Sequence, residues 1–178
     1  MAKIRIGIMV GSDSDLEKQC LKGLLYLQKQ ADVEVVCVIT ASIHRNTEEV
    51  LTFLDEQIEQ VDVWIIGAGW ANHLTGICAA YLFYTKKVST PVIGVAFRDP
   101  DSEAHTTAAR LSITEVPGTQ VIYEDRDGIF IGEDGFRRAC MRAAKGDFPD
   151  IVPKAPKPTQ VRTLSEAIEF AQEKGEEA

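Results

Sequence analysis

Ile4-Arg5-Ile6-Gly7-Ile8-Met9-Val10-Gly11-Ser12-Asp13-Ser14-Asp15 is an apolar run that stops abruptly in a short polar loop. The pattern recurs twice. Val33 to Ile39 leads into Thr40-Ala41-Ser42-Ile43-His44-Arg45, and Val61 to Ile66 leads into Gly67-Ala68-Gly69-Trp70-Ala71-Asn72-His73. Each run has the length and β-branched character of a buried strand, and each loop is followed by a segment with helical spacing. Strands alternating with helices imply a parallel sheet with helices on both faces. Right-handed crossovers make it doubly wound. In such a sheet, ligands bind beyond the carboxyl ends of the strands. The three loops should therefore meet at one crevice and bring hydroxyls, carboxylates, an arginine and two of the three histidines together.

The helices between the strands carry their own start signals. A first helix is predicted from Ser14 to Gln30, opening on the capping-box pattern Ser14-Asp15-Leu16-Glu17. A second starts near Asn46, with Glu49 three residues on and Val50, Leu51, Leu54 and Ile58 on one face. A third, from Ala71 to Lys86, is apolar nearly all round and should be buried on several sides. Strand four is read at Pro91 to Phe97 and strand five at Gln120 to Tyr123, with a short helix around Ala104 to Ser112 between them. Beyond these, Asp125 to Phe136 reads as a hairpin or loop and Gly135 to Ala144 as a helix. Phe148 to Pro158 carries four prolines and reads as an extended arm. A last helix starts at Thr163, with Glu166 completing a capping box and Leu164, Ala167, Ile168 and Ala171 forming an apolar face. Such a terminal element commonly docks on its own domain or on a neighbouring subunit. Residues 1–147 are expected to form the α/β domain, and 148–178 an arm plus helix that is not an independent domain.

The 178 residues are 45% hydrophobic and 26% charged, which suits one soluble domain with a sizeable core. A net charge of −8 and a pI near 4.9 make nucleic acid and anionic membranes poor partners. The same acidity means that an anionic ligand needs local attraction from backbone N–H groups and a nearby cation. Cys20, Cys37, Cys78 and Cys140 are widely spaced and lie in or beside apolar runs, which points to a reducing compartment. Met1 leads straight into a strand pattern with no secretory signal, and no apolar stretch reaches the ~18 residues of a membrane span. The cytoplasm is the expected location.

Each loop has a chemical reading and a plain one. Gly11 permits a tight turn, and Ser12, Ser14 and the following helix N-terminus favour a phosphate. Alternatively, Ser14 merely caps the helix while Asp13 and Asp15 sit favourably at its start. Arg45 has the fork geometry for phosphate or carboxylate, and His44 brings an imidazole, the side chain most often used as a general acid or base. Alternatively, both are solvated loop residues. Gly67, Ala68 and Gly69 allow close backbone approach. His73 is then either a site residue or a side chain bonded to a backbone carbonyl, and Trp70 either core or lid. There is no G-K-[ST] of a Walker loop, no G-x-G-x-x-G and no G-x-S-x-G, so P-loop, dinucleotide and triad-hydrolase readings are disfavoured. His44, His73 and His105 are too scattered to suggest a metal site.

Taken in register, the three loops resemble the PurE family of de novo purine biosynthesis, whose motifs are G-S-x-S-D, S-A-H-R and G-A-G-G-A-A-H-L-P-G. Here they stand as Gly11 to Asp15, Ser42 to Arg45, and Gly67 to Gly76. Thr90 to Val95 resembles the family's fourth strand. Ser112-Ile113-Thr114-Glu115-Val116-Pro117 is a weaker match to its S-I-V-Q-M-P segment. The resemblance spans roughly residues 3 to 145. It implies a flavodoxin-like three-layer αβα sandwich, a homo-octamer and no metal or organic cofactor. The implied reaction is either the mutase conversion of N5-carboxyaminoimidazole ribonucleotide (N5-CAIR) to 4-carboxyaminoimidazole ribonucleotide, or direct carboxylation of aminoimidazole ribonucleotide (AIR) by CO2.

By position, Gly11, Ser12, Asp13, Ser14, Asp15, Ser42 and Arg45 would bind ribose and phosphate, and His44 would be the proton-transfer residue. Gly67, Ala68, Gly69, His73 and Leu74 would line the base end. Ile43 stands for the family's alanine, Trp70 for a glycine, Asn72 for an alanine and Thr75 for a proline. The family's acid near Thr106 to Ala109 has no counterpart there, which leaves Glu103 and His105 as the residues that could substitute for it. An asparagine near position 72 is a feature of the direct carboxylases, while S-x-H-R resembles the mutases. Two further readings accompany these departures: a paralogous carboxylating enzyme acting on another nucleotide, and a non-catalytic nucleotide-binding protein.

Overall fold

The computed structural model describes residues 3–116, 118 and 121–176. Gln120, the expected first residue of strand five, and Pro117 of the S-I-V-Q-M-P-like segment lie outside the described residues. Five strands form one parallel sheet: β1 (Ile4–Val10), β2 (Val33–Thr40), β3 (Val63–Ala68), β4 (Val92–Ala96) and β5 (Val121–Ile122). Their spatial order, β2-β1-β3-β4-β5, reverses direction at β1. This is the flavodoxin-like doubly wound order, with its switch point between β1 and β3.

Period-two alternation explains why helices cover both faces. Ile6, Ile8 and Val10 of β1 and Val63 and Ile65 of β3 enter one apolar cluster. It also holds Leu27 of α2 (Leu21–Gln28) and Phe136, Ala139, Cys140 and Ala143 of α6 (Gly132–Lys145). Met9, Trp64, Ile66 and Ala68 point the other way. They meet Val50 and Leu54 of α3 (Thr47–Gln57) and Leu74, Cys78 and Ala79 of α4 (His73–Ala80). The edge strand β2 is less covered, and Val35 and Val38 are exposed.

Several elements differ from the sequence-based expectation. The first helix begins earlier and bends, as α1 (Asp13–Gln19) and α2 joined at Cys20. Its cap is Ser12, which accepts from Asp15 N–H and donates its hydroxyl to the Asp15 carboxylate at 2.9 Å. The box is therefore Ser12 with Asp15, two residues before the pattern at Ser14. Asn46 does precede α3, but its side chain donates to Glu49 Oε2 (2.8 Å) and caps no N–H. The third helix changes hydrogen-bond register after Ala80 and ends as a π-helical segment, Tyr81–Lys86. Helix α5 covers Glu103–Thr114, longer at both ends than expected.

The Asp125 region is a small hairpin, β6 (Glu124–Asp125) with β7 (Gly128–Ile129). The Arg138 guanidinium pins it by pairing with Asp125 and donating to the carbonyls of Gly128 and Ile129. After α6, Phe148 packs on the first cluster and Ile151 is buried. The final helix, α7 (Leu164–Glu176), starts at the expected Thr163–Glu166 box. Leu164, Ile168 and Phe170 stand exposed, and the Arg162 guanidinium lies 4.3 Å from the Phe170 ring. Among the described residues no helix is long and apolar enough to cross a membrane. All four cysteines are free, and burial pushes the Cys20 and Cys78 thiols up to about 12 and that of Cys140 higher still.

One contact sets the spacing of β1 against β3. A Cβ on Gly7 would lie 2.6 Å from the buried Trp64 ring. Gly7→Ala is expected to cost about 1–3 kcal/mol through overpacking, read as a lower midpoint in urea unfolding. An unchanged midpoint would show that Trp64 has room to move.

Candidate active site

Because the strands are parallel, their carboxyl ends emerge at one edge, and the ladder continues into the loops. Ala41 N–H donates to Val10 O (2.9 Å), Gly11 N–H to Gly67 O (2.9 Å), and Phe97 N–H to Ala68 O (3.0 Å). The loops after β1, β2, β3 and β4 are thereby tied side by side. Between the first three lies a cleft of about 590 Å3, a size suited to a small ligand.

Of the residues singled out in the sequence, Gly11, Ser12, Ser14, Asp15, Ser42, His44, Arg45, Ala68, Gly69, His73 and Leu74 line this cleft. Asp13 and Gly67 do not. The Asp13 carboxylate accepts from Thr40 Oγ1 (2.6 Å), and Gly67 is buried within β3. The N–H groups of Gly11 and Asp15 are also committed, the first to Gly67 O and the second to Ser12.

The second loop is a tight turn in which Ser42 O accepts from Arg45 N–H (3.0 Å) and Asn46 N–H (2.8 Å). Ile43 is buried in the second core cluster and anchors the turn, so the neighbouring His44 and Arg45 project outward. The Arg45 guanidinium has no hydrogen-bond or ion-pair partner among the described residues, and it is the permanent cation of the cleft wall. Asp15 is the lining carboxylate. Burial raises its pKa, while the Ser12 hydroxyl and the Gly69 backbone pull it back down.

His44 and His73, 29 residues apart in the chain, meet across the mouth. His44 Nε2 and His73 Nδ1 are 3.0 Å apart, with the rings edge-on. One of the facing nitrogens carries the hydrogen and the other the lone pair. Adding a proton to both would set N–H against N–H, so the bond survives with at most one extra proton on the pair. No sequence pattern pairs these two histidines. The usable signal was that each histidine follows shortly after the end of one of two strands, β2 and β3, that flank β1.

A fourth loop reaches the same edge and leads to His105, whose partners the sequence does not indicate. After β4, Asp99 Oδ2 pairs with His105 Nδ1 (2.7 Å), which holds the Asp99 carboxyl below the usual carboxylate range. The His105 ring stacks on Trp70, with centroids 4.0 Å apart and planes 19° apart. The rule that drew attention to the first three strand ends applies equally to this one. Among the described residues no group of three or more His, Cys, Asp or Glu is placed to hold a metal ion.

Residues 5–122 match the sequence model of the family described as AIR carboxylase. The chain belongs to this family. It is 31% identical over 115 residues to the N5-carboxyaminoimidazole ribonucleotide mutase of Thermotoga maritima, covering 64% of this chain and 61% of that protein. To a protein of the same name from Pyrococcus abyssi it is 31% identical over 143 residues, covering 78% and 71%. The PurE structure from Treponema denticola shares the fold, with a TM-score of 0.54 at 16% identity over 98% of this chain and 96% of that one.

Two of the departures from the family motif explain each other. Asn72 and Thr75 are fully buried. Asn72 Oδ1 accepts from Thr75 N–H (3.2 Å) and contacts Thr75 Oγ1 (3.0 Å), and its amide donates to Val95 O (2.9 Å). A proline at position 75 would have no N–H to satisfy. The threonine has one, and Asn72 caps it. Asn72 is thus committed to the helix start and absent from the cleft wall. Asn72→Ala should cost about 1–3 kcal/mol by stranding buried polar groups. In a Thr75→Pro background that cost should fall by about 1 kcal/mol or more in a urea double-mutant cycle. Strict additivity would refute the coupling.

Proposed function

We propose that this chain catalyses the interconversion of N5-CAIR and 4-carboxyaminoimidazole ribonucleotide in purine biosynthesis, with His44 as general acid and base. The observation that carries this reading is the His44–His73 pair at 3.0 Å, set in a cleft that also presents the hydroxyls of Ser12, Ser14 and Ser42 and the Arg45 guanidinium, which has no partner among the described residues. The names of the Thermotoga and Pyrococcus relatives support the same reaction.

The chemistry needs one proton lent and one returned. His44 protonates N5 as the N5–carboxylate bond breaks, and the bonding pair stays on nitrogen while CO2 departs. C4 of the freed aminoimidazole then attacks CO2 and becomes tetrahedral. His44 removes the C4 proton, the C–H pair restores the aromatic ring, and the imidazole ends as it began. A hydrogen-bonded imidazole pair limited to one extra proton suits this cycle, with His73 sharing the charge. Arg45 supplies the local attraction for phosphate that a chain of net charge −8 lacks globally. Asp15 and Ser12 take the ribose hydroxyls, since a carboxylate repels phosphate but accepts from O–H.

The same reading makes the substrate a phosphorylated ribonucleotide and CO2 a transient occupant of the cleft. It makes the protein a cytoplasmic homo-oligomer, octameric by the family's pattern, with residues 1–147 as the domain and 148–178 as its arm and helix.

Purified protein offered N5-CAIR is expected to turn it over, and offered AIR with bicarbonate to do so more slowly. Preference for the second mixture would make it a direct carboxylase, and activity on neither would refute the assignment. His44→Asn should keep ligand affinity within about threefold and lose at least about 100-fold in kcat, the usual worth of general acid–base catalysis. Turnover equal to the parent's would remove His44 from the mechanism. Arg45→Ala should weaken ribose 5-phosphate about tenfold or more and leave ribose unaffected. Equal effects on both would mean that Arg45 does not meet the phosphate.

A further inference from the structure

Trp70 is an anomaly on three counts. Its backbone is left-handed (φ 55°), a strained conformation that bulky side chains rarely adopt. Its indole is 65% exposed and belongs to none of the apolar clusters, so core packing does not offset that strain. Yet the indole is held in place. One face stacks on His105, which Asp99 fixes through its Nδ1, and Asp99 is itself fixed by Asp101 N–H at 3.0 Å and by donating its own N–H to Thr106 Oγ1 at 3.0 Å.

Trp70 lines the cleft and His105 does not. Trp70 thus borders the cleft and has His105 stacked on one face of its ring. Beside it this end of the cleft holds Ala68, Gly69, Ala71 and Leu74, and its one polar side chain among the described residues, His73, is turned to His44. A flat, partly charged ring bound here would meet the indole as the large planar surface available.

We propose that Trp70 is the stacking wall for the heteroaromatic ring of the ribonucleotide, and that His105, held by Asp99, is a positioning residue that keeps the indole upright. This rests on the ribonucleotide reading above and adds to it the residue that recognises the ring. Stacking a base on an aromatic side chain tolerates different rings, so the wall should favour planar heterocycles in general over the bare sugar phosphate.

The test is calorimetric binding of ribose 5-phosphate, AIR and AMP to the parent protein and to Trp70→Gly, Trp70→Phe, His105→Ala and His105→Phe. Glycine removes the ring and relieves the left-handed strain, so Trp70→Gly should fold. It is expected to weaken AIR about tenfold and ribose 5-phosphate less than twofold, with Trp70→Phe within about threefold of the parent for both. AIR should quench the parent's indole emission and leave Trp70→Phe, whose remaining tryptophan is the buried Trp64, unquenched. His105→Ala should lose part of the same ring-dependent affinity, and His105→Phe should recover it. A parent that ignores AIR but binds AMP with the same dependence on Trp70 would keep the wall and sink the assigned reaction. Loss of both nucleotide and sugar phosphate to the same extent in Trp70→Gly, or of neither, overturns the wall. An unchanged ring preference in His105→Ala overturns the positioning role of His105. A parent that binds none of the three ligands sinks both proposals.

Discussion

Three backbone hydrogen bonds beyond the regular strands hold the cleft in shape: Ala41 to Val10, Gly11 to Gly67, and Phe97 to Ala68. They exist because the parallel ladder does not stop where the side chains turn polar. The approach is close. A Cβ on Gly11 would lie 2.7 Å from that of Ala68, and one on Gly67 would lie 2.9 Å from the Phe97 ring. Every group in the cleft inherits its position from this spacing. His44 and His73 sit on loops from strands that do not touch each other, yet each is tied to β1 or its loop, so their separation is fixed without a direct link between β2 and β3. A site built this way is rigid in its backbone and leaves adjustment to side chains.

Electrostatics explains how an acidic chain accommodates an anion. The surface field repels phosphate, but it is screened within about 8–10 Å at ordinary ionic strength. The local terms decide. Among the described residues Arg45 is unpaired, whereas Arg5, Arg137, Arg138 and Arg142 are occupied by carboxylates. The lining carboxylate, Asp15, is turned inward to Ser12, and burial raises its pKa. A net charge of −8 thus coexists with a locally attractive mouth.

The sheet was legible because its signal is one-dimensional. Long β-branched runs ending in Gly, Ser or Thr give strand, loop and sheet edge at once, and for β1, β2 and β3 they gave the crevice as well. Helix existence was legible for the same reason, but the cap at Ser12 was not. The periodic pattern favours Ser14, while the choice between two serines is made by which carboxylate folds back, a matter of local three-dimensional geometry. The π-helical segment Tyr81–Lys86 has no sequence signature of its own, since it is a change of backbone register within an apolar helix. The pairings across loops, His44 with His73 and Trp70 with His105, depend on rotamers and on which strands become neighbours. Position along the chain does not encode either. Asn72 misled for a different reason. Read in isolation it looks like a functional marker, and only its contact with Thr75 shows that it serves the helix start.

The fate of the cysteines has a practical side. Three are sealed in the interior with thiols that resist ionisation, and burial raises the fourth, Cys37, as well. Thiolates are the reactive form. Cys20, Cys78 and Cys140 are therefore a quiet background for maleimide chemistry, and half-buried Cys37 is the natural thiol to replace before a single cysteine introduced on an exposed loop carries a dye or spin label.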